Sequence, residues 1–420
     1  MAQIHKSFST EQVKDLFKRY ISKEIERLYI QELLGIQKAQ FFRLLKEYKD
    51  NPVNFTINYT RQSPKRLSPL VEENIIKELQ IDKEAIGNKD IPLKYYNYSY
   101  VKDRLEKVYG QAVSLPTVIK YAKEHDFYIA RKKHKKVHDR EVLTRYIGEL
   151  IQHDASYHLW APASGKKWCL ITSLDDYSRY IPYGKFEEHE SSWAHIQALQ
   201  SLAIKEGCAY SYYVDCHSIF RYVRGRDQLH NRFEKFTDDV DPQWKQVLVD
   251  CHIKPIYALS PQAKGKVERP YQWLQDRIIR SCIRENVKTI AHGQRILNAE
   301  LDRYNHRQIH STTDEIPYLR FRNAKEQGKS LFRQFTIPAP YLTHKDIFAF
   351  RTTRLVDQYC KVTIKNISIK LRDVKPGQTI NIRIYPLNNT LIELRFWGNN
   401  KLIDVQRIKK HELGLSTFQF

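Results

Sequence analysis

Three acidic residues stand where the chain passes from one kind of element to another: Asp154 in "ELIQHDAS", Asp215 in "AYSYYVDCHS" and Glu268 in "SPQAKGKVERPYQWLQDR". The first two lie at the ends of β-rich runs, and the third lies at the start of a predicted helix. Separations of 61 and 53 residues define no geometry by themselves, but adjacent strands of one sheet can bring such residues within a few ångströms. Three carboxylates at close range repel one another unless a cation compensates them. Hard oxygen ligands select Mg²⁺ or Mn²⁺ over softer metals. Two such ions about 3.5 to 4 Å apart can activate an attacking oxygen and stabilise a leaving one in an in-line phosphoryl displacement. Beside Glu268, the basic residues Lys264, Lys266 and Arg269 are suited to hold nucleic-acid phosphates over such a site. Each acid also has a plainer reading. A salt-bridged, solvated helix start accounts for Glu268. Turn capping is a common fate of strand-end Asp residues, Asp175 and Asp176 included, and Asp250 reads equally as a helix-surface charge.

The elements that must position these acids occupy residues 141–337. The runs "ELIQHDAS", "KKWCLITSLDDYS" and "RYIPYGKF" predict three short strands, followed by a helix in "SSWAHIQALQSLAIKEG". A strand ending at Asp215, a helix in "PQWKQVLVDCH", a strand in "IKPIYAL" and the helix of Glu268 follow, with a polar helical extension over 278–330. That order predicts an α/β sheet layered with helices, in which ligands gather at strand ends.

The flanks differ in character. Over residues 9–49, apolar residues at helical spacing (Leu28, Leu33, Leu34, Phe41, Leu44, Leu45), broken at Gly35, predict a helix, a short turn and a second helix from near Ile36. Gln37, Gln40 and Arg43 fall on its polar face. The pattern recurs over 99–127, where a helix ends at Gly110 and Ser114 caps another with Pro116 in its first turn. Thr117, Lys120 and Lys123 face outward there. Residues 1–60 and 61–130 are therefore read as two helix-turn-helix DNA-binding domains, with simple two-helix packing as the alternative. Residues 131–140 form a linker whose Arg131, Lys132, Lys133, Lys135 and Lys136 are placed to lie along phosphates. Residues 338–420 alternate in β fashion between turn pairs such as Pro376-Gly377 and predict a small basic β-barrel.

Charge supports that division. The 420 residues carry 70 Lys+Arg against 48 Asp+Glu, a net +22. Residues 1–137 hold +10, 138–337 hold +4 and 338–420 hold +8, so basic ends flank a nearly balanced middle and double-stranded DNA is the expected partner. A hydrophobic content of 41% with 12% aromatics excludes a disordered chain. No run is long and apolar enough for a membrane span, and "MAQIHKSFSTEQ" lacks the apolar stretch of a signal peptide. The expectation is a cytoplasmic protein with no membrane partner. Six cysteines without a CxxC indicate neither a disulfide framework nor a zinc finger, though Cys216-His217 and Cys251-His252 leave a zinc site open.

Taken in order, "HDAS", "LDDYSRY", "VDCHSIFR", "SPQAKGKVERPYQWLQDR" and "YNHRQIHS" resemble the DDE transposases of bacterial insertion sequences, whose core is of retroviral-integrase type. The likeness runs over residues 140 to 325. It implies a multidomain fold: α-helical helix-turn-helix N-terminal domains, an α/β RNase H-like catalytic core and a small all-β barrel at the C-terminus. It also implies that Asp154, Asp215 and Glu268 are the catalytic, metal-binding triad, served by Mg²⁺ or Mn²⁺ with two ions per site. The implied reaction is hydrolytic release of a 3′-OH at the element's end, followed by attack of that hydroxyl on target DNA within a synaptic homo-oligomer bound to the terminal inverted repeats. The chain departs from the family pattern in three places. Cys216 follows the second Asp where Asn is common, "YVRGRDQLHNRFEKFTDDVDPQW" lengthens the Asp215–Glu268 gap, and Pro270 lies two residues after Glu268. No His/Cys zinc module precedes the core, which favours an insertion-sequence enzyme over a retroviral integrase. The alternatives are a catalytically silent, domesticated DNA-binding protein with the same fold and a structure-specific nuclease.

Overall fold

Ser9 starts the first helix. Its hydroxyl accepts from Gln12 N while Gln12 Oε1 accepts from Ser9 N at 2.7 Å, a capping box that satisfies donors the helix itself leaves open. In this computed structural model, residues 4–58, 67–130, 144–215, 219–220, 242–258, 265–365 and 367–413 are described, with 265–270 as backbone alone. The chain divides into two units. The first comprises Met1–Asp139, Leu159–Lys166 and Gln272–Asn323, the second Arg140–His158, Lys167–Tyr271 and Ala324–Phe420.

In the first unit, α1 (Thr10–Ile21) ends at Ser22, Lys23 adopts φ 62°, and α2 (Arg27–Leu34) follows. Residues 9–49 thus hold three helices where the periodicity predicts two, because the break at 22–26 contains neither Gly nor Pro to mark it. Gly35, at φ 64°, closes α2, and α3 (Lys38–Asp50) begins after Gln37 as its N-cap. The ring of Phe17 meets those of Phe41, Tyr48 and Phe55 at 5.7, 5.8 and 5.9 Å. Next come α4 (Pro69–Gly87), α5 (Tyr98–Tyr109) and α6 (Leu115–Glu124). Gly110 ends α5 at φ 65°, and Ser114 Oγ caps α6 by accepting from Thr117 N at 3.2 Å. Ile75, Leu79, Val101, Leu105, Val118 and Ala122 interlock as the core of this trio.

The second unit carries a five-stranded sheet. Its strands and helices run β1 (Ile151–His158), β2 (Trp168–Asp175), β3 (Tyr183–Glu187), α7 (Ser192–Lys205), β4 (Ser211–Val214), α8 (Gln243–Asp250), β5 (Lys254–Tyr257) and α9 (Gly265–Arg284). That is the element order expected for the core. The sheet order is β3-β2-β1-β4-β5, with β3, β2 and β1 antiparallel and β1, β4 and β5 parallel. Leu170 and Ile171 on β2 and Tyr212 and Val214 on β4 are buried, as strands covered by helices require.

From Gln272 onward α9 belongs to the first unit, with α10 (Ile290–Arg307) and much of α11 (Pro317–Glu326). The sequence placed this extension with the core; here it groups with the N-terminal helices. The cause is visible in α9, where Arg277 and Arg280 are buried and the Arg284 side chain is 2% exposed. Arg277 pairs with Asp103 and Glu300, each at 2.9 Å. Arg280 pairs with Asp82 and Asp276, and Arg284 with Glu78 at 2.7 Å and Asp82 at 2.8 Å.

The C-terminal segment comprises α12 (His344–Ile347), β6 (Phe350–Leu355), β7 (Lys361–Ile364), β8 (Ile367–Lys370), β9 (Thr379–Pro386), β10 (Leu391–Gly398) and β11 (Lys401–Lys409). Where the sequence predicts one small barrel, these form a four-stranded antiparallel sheet, β11-β10-β9-β6, and a β7–β8 hairpin. Their apolar face is continuous with that of the central sheet. Trp193, Trp244 and Leu248 share one buried cluster with Phe350, Ile382 and Phe396. Gln243 at the start of α8 reinforces the junction by donating to Arg351 O at 3.1 Å and accepting from Arg351 N at 2.7 Å. Among the described residues no helix is long and apolar enough to cross a membrane.

Candidate active site

Asp154 is the fourth residue of β1, and Asp215 follows the last residue of β4. The two strands run parallel with Ile151 opposite Tyr212 and Gln152 opposite Tyr213. Carried two residues further, that register would put Asp154 opposite Asp215, on neighbouring strands, whose usual spacing is about 5 Å. Both residues are half-buried, so they border solvent at the strand end.

Glu268 is the fourth residue of α9, whose backbone continues through Pro270. The helix starts five residues before that proline. Tyr271, one turn after Glu268, is buried; its hydroxyl donates to the Asp154 carbonyl at 2.7 Å and accepts from Thr172 Oγ1 at 2.5 Å. Thr172 is the cross-strand partner of Asp154. Burial pushes the Tyr271 phenol well above its usual ionisation range, and the nearby Asp154 charge adds to the shift, so the hydroxyl remains a donor. Among the described residues no three His, Cys, Asp or Glu side chains converge as a metal cluster; Glu268 is described in its backbone only.

Behind Asp154, on the opposite face of β1, lies a buried polar chain. His153 Nδ1 pairs with Ser173 Oγ at 3.0 Å and His153 Nε2 with His195 Nδ1 at 2.8 Å, while His195 Nε2 pairs with Glu190 at 3.0 Å. The His153 ring lies parallel to Trp244, with centroids 6.2 Å apart. This chain ties β1, β2 and α7 together behind the candidate acid.

The competing acids have local work. Asp175 accepts from Gly148 N, Ser178 N and Ser178 Oγ, a turn-capping role, and burial pushes its carboxyl up to about 6. Asp176 accepts from Thr144 Oγ1 at 2.8 Å and Arg179 Nη1 at 2.9 Å. Asp250 pairs with Arg351 at 2.9 Å. Cys251 and Cys208 are free thiols buried in the apolar cluster, and among the described residues Cys251-His252 belongs to no metal-holding group; Cys216 and His217 lie outside the described residues.

Of the residues expected to meet DNA, Arg131, Lys132, Lys133, Lys135, Lys136 and Lys264 also lie outside the described residues, and Lys266 and Arg269 are described as α9 backbone. Gln37 and Arg43 are exposed and Gln40 is partly so. Gln37 precedes α3 as its N-cap, off the helical face assigned to it, and Arg43 lies 3.8 Å from Glu47. Lys120 is exposed and 3.6 Å from Glu124. The Thr117 hydroxyl is 2.5 Å from Ser114 Oγ, so it is engaged within the cap. Tyr271 and Thr172 went unremarked in the sequence. The available signal was the i, i+3 placement of Tyr271 after Glu268.

This chain is similar in sequence to transposases of insertion sequences. Over 203 residues, 48% of this chain and 43% of the relative, it is 27% identical to a Sinorhizobium fredii (strain NBRC 101917 / NGR234) protein that carries the name transposase y4bF. Over 174 residues, 41% of this chain and 35% of the relative, it is 29% identical to the transposase for insertion sequence IS1202 of Streptococcus pneumoniae. The chain spans less than half the length of these curated relatives. No protein-family model matches it. Among solved structures, the HTLV-2 integrase catalytic core domain, in complex with magnesium and in dimeric form, is 15% identical with a TM-score of 0.30, covering 43% of this chain and 99% of that one.

Proposed function

We propose that this chain is a DDE-type DNA transposase with an RNase H-like core. In this reading it binds the terminal inverted repeats of its own element, cleaves at the 3′ ends and transfers the freed hydroxyls into target DNA as a synaptic homo-oligomer. The observation that supports it most is the β1–β4 register, which runs Asp154 and Asp215 to the same end of adjacent parallel strands. The similarity to named transposases points the same way.

Asp154, Asp215 and Glu268 would hold the metal. Carboxylate oxygens are a donor set that fits a hard cation, and those of Asp154 and Asp215 belong to half-buried residues that border solvent. Mg²⁺ or Mn²⁺, two ions to a site, would supply activation of the attacking oxygen and charge stabilisation of the leaving one. Lys264, Lys266 and Arg269 would neutralise and orient the substrate phosphates, and the 131–136 basic run would follow the DNA backbone. Gln37, Gln40, Arg43 and Lys120 are the candidate end-reading residues; Thr117, engaged with Ser114, is the least suited of the set. The reaction then rests on positioning and charge neutralisation, with no covalent protein intermediate.

The test is strand transfer in Mg²⁺ buffer on duplexes carrying the inverted repeats that flank the gene, with the wild type and Glu268→Gln. Transfer by the wild type alone supports both the reaction and the third ligand. Equal transfer by both removes Glu268 from the site. Transfer by neither, with end-binding intact, favours the catalytically silent DNA-binding protein.

A further inference from the structure

Tyr271 joins three pieces of the candidate site through one oxygen. Its hydroxyl donates to the backbone carbonyl of Asp154 and accepts from the side chain of Thr172, two residues that face each other across β1 and β2. Its own backbone lies in α9, three positions after Glu268 and on the same helix face. Within the described side chains of α9, it is the one nearest Glu268 in sequence.

A helix held to a sheet by apolar contacts alone can rotate or slide by a fraction of an ångström at little cost, since such contacts are non-directional. A hydrogen bond is directional; the bond from Thr172 is buried and the bond to Asp154 is part-buried. Shifting α9 would break the bond to the Asp154 carbonyl and leave the buried Thr172 hydroxyl without this partner. The rigid phenol transmits that constraint to the backbone. Tyr271 itself is too enclosed to meet DNA.

We propose that Tyr271 is a positioning residue of the catalytic centre: it fixes the first turns of α9, and with them the backbone that carries Glu268, against Asp154 and Thr172 of the β1–β2 pair. The inference rests on the reading of those acids as metal ligands.

Tyr271→Phe keeps the ring and removes the oxygen. The full-length chain is compared as wild type, Tyr271→Phe and Glu268→Gln in three measurements: melting temperature, Mn²⁺ binding followed by the EPR signal of free Mn²⁺, and strand transfer. Tyr271→Phe is expected to raise the Mn²⁺ dissociation constant and slow transfer, each about tenfold, because sub-ångström misplacement of reacting groups costs on that scale. Its melting temperature stays within a few degrees of wild type. Thr172→Val, which removes one of the two partners, should show the same pattern more weakly. Wild-type binding and transfer in Tyr271→Phe would overturn the inference while leaving the transposase reading intact. Loss of transfer that tracks a lowered melting temperature, with Mn²⁺ binding unchanged, would also overturn it, since a merely structural role predicts that. Unchanged Mn²⁺ binding and transfer in Glu268→Gln would instead remove the third ligand, and the inference with it.

Discussion

The buried charges of α9 predict a large and partly reversible loss of stability on replacing Arg280 by Met. Arg280 and Asp82 are each fully buried. The guanidinium pairs with Asp82, reaches Asp276 at 3.0 and 3.1 Å, and donates to the Tyr95 carbonyl. Methionine preserves most of the aliphatic stem, so the loss is of charge and hydrogen bonds more than of volume. Breaking one side of a buried ion pair typically costs about 3–5 kcal/mol. Arg284, 2.8 Å from Asp82, continues to neutralise that acid and holds the cost near the low end, about 3 kcal/mol. Replacing Asp82 by Met as well removes the stranded carboxylate. Apolar substitutes for buried pairs are often close to neutral, so the double variant should recover about 2 kcal/mol over the single one. Native-state hydrogen exchange of the α4 and α9 amides reads this region without assuming that both units unfold together. A cost below about 1 kcal/mol for Arg280→Met, or no recovery in the double variant, would show that the pair is effectively solvated and refute the reasoning.

Acid should destabilise the protein through the same kind of site. Burial alone would raise the carboxyls of Glu78 and Asp346, but Arg284 and Arg104 around the first and Arg395 at the second hold them below the ordinary range. An acid depressed in the folded state stabilises above its unfolded value, about 4. That stability is lost as pH falls through the folded value, so hydrogen-exchange protection should decline below about pH 4 and Glu78→Gln should flatten the decline in α4. Gly207 adopts φ 110° with the Arg333 carbonyl oxygen 2.5 Å from where a Cβ would stand, next to Cys208, which exchanges backbone bonds with Arg333 at 2.7 and 2.9 Å. Gly207→Ala should therefore cost about 2 kcal/mol or more in urea denaturation. Gly87, at the end of α4 with open space around it, should gain up to about 1 kcal/mol from Ala; a gain at Gly207 or a loss at Gly87 would contradict these assignments.

The core's element order was legible because its strands are β-rich runs bounded by turn residues and its helices carry a different period. Gly110, Ser114 and Pro116 likewise marked α5 and α6 through backbone chemistry that acts locally. The resemblance to transposases carried by "HDAS", "VDCHS" and "KGKVERP" agrees with the named relatives. What escaped the sequence depends on residues far apart in the chain. Nothing local in "QDRIIRSCIR" marks its arginines as partners of distant acids, yet Arg284 meets Glu78 206 residues away. Tyr271 and Thr172 are separated by 99 residues, and no local pattern pairs them. The alternating C-terminal strands read as an independent barrel because alternation records that one face is buried, not against what; here that face shares a cluster with Trp193 and Trp244. The break after Ser22 was missed for the opposite reason: Lys23 takes a left-handed backbone that no residue type there announces.

The central claim is that Asp154, Asp215 and Glu268 act as metal ligands in DNA strand transfer, and a change of ligand hardness tests it directly. Asp215→Cys replaces a hard carboxylate by a soft thiolate, which disfavours Mg²⁺ more than Mn²⁺. Strand transfer by this variant on inverted-repeat duplexes should be absent in Mg²⁺ and partly restored in Mn²⁺, with the wild type active in both. Wild-type transfer by Asp215→Cys in Mg²⁺ would contradict the assignment.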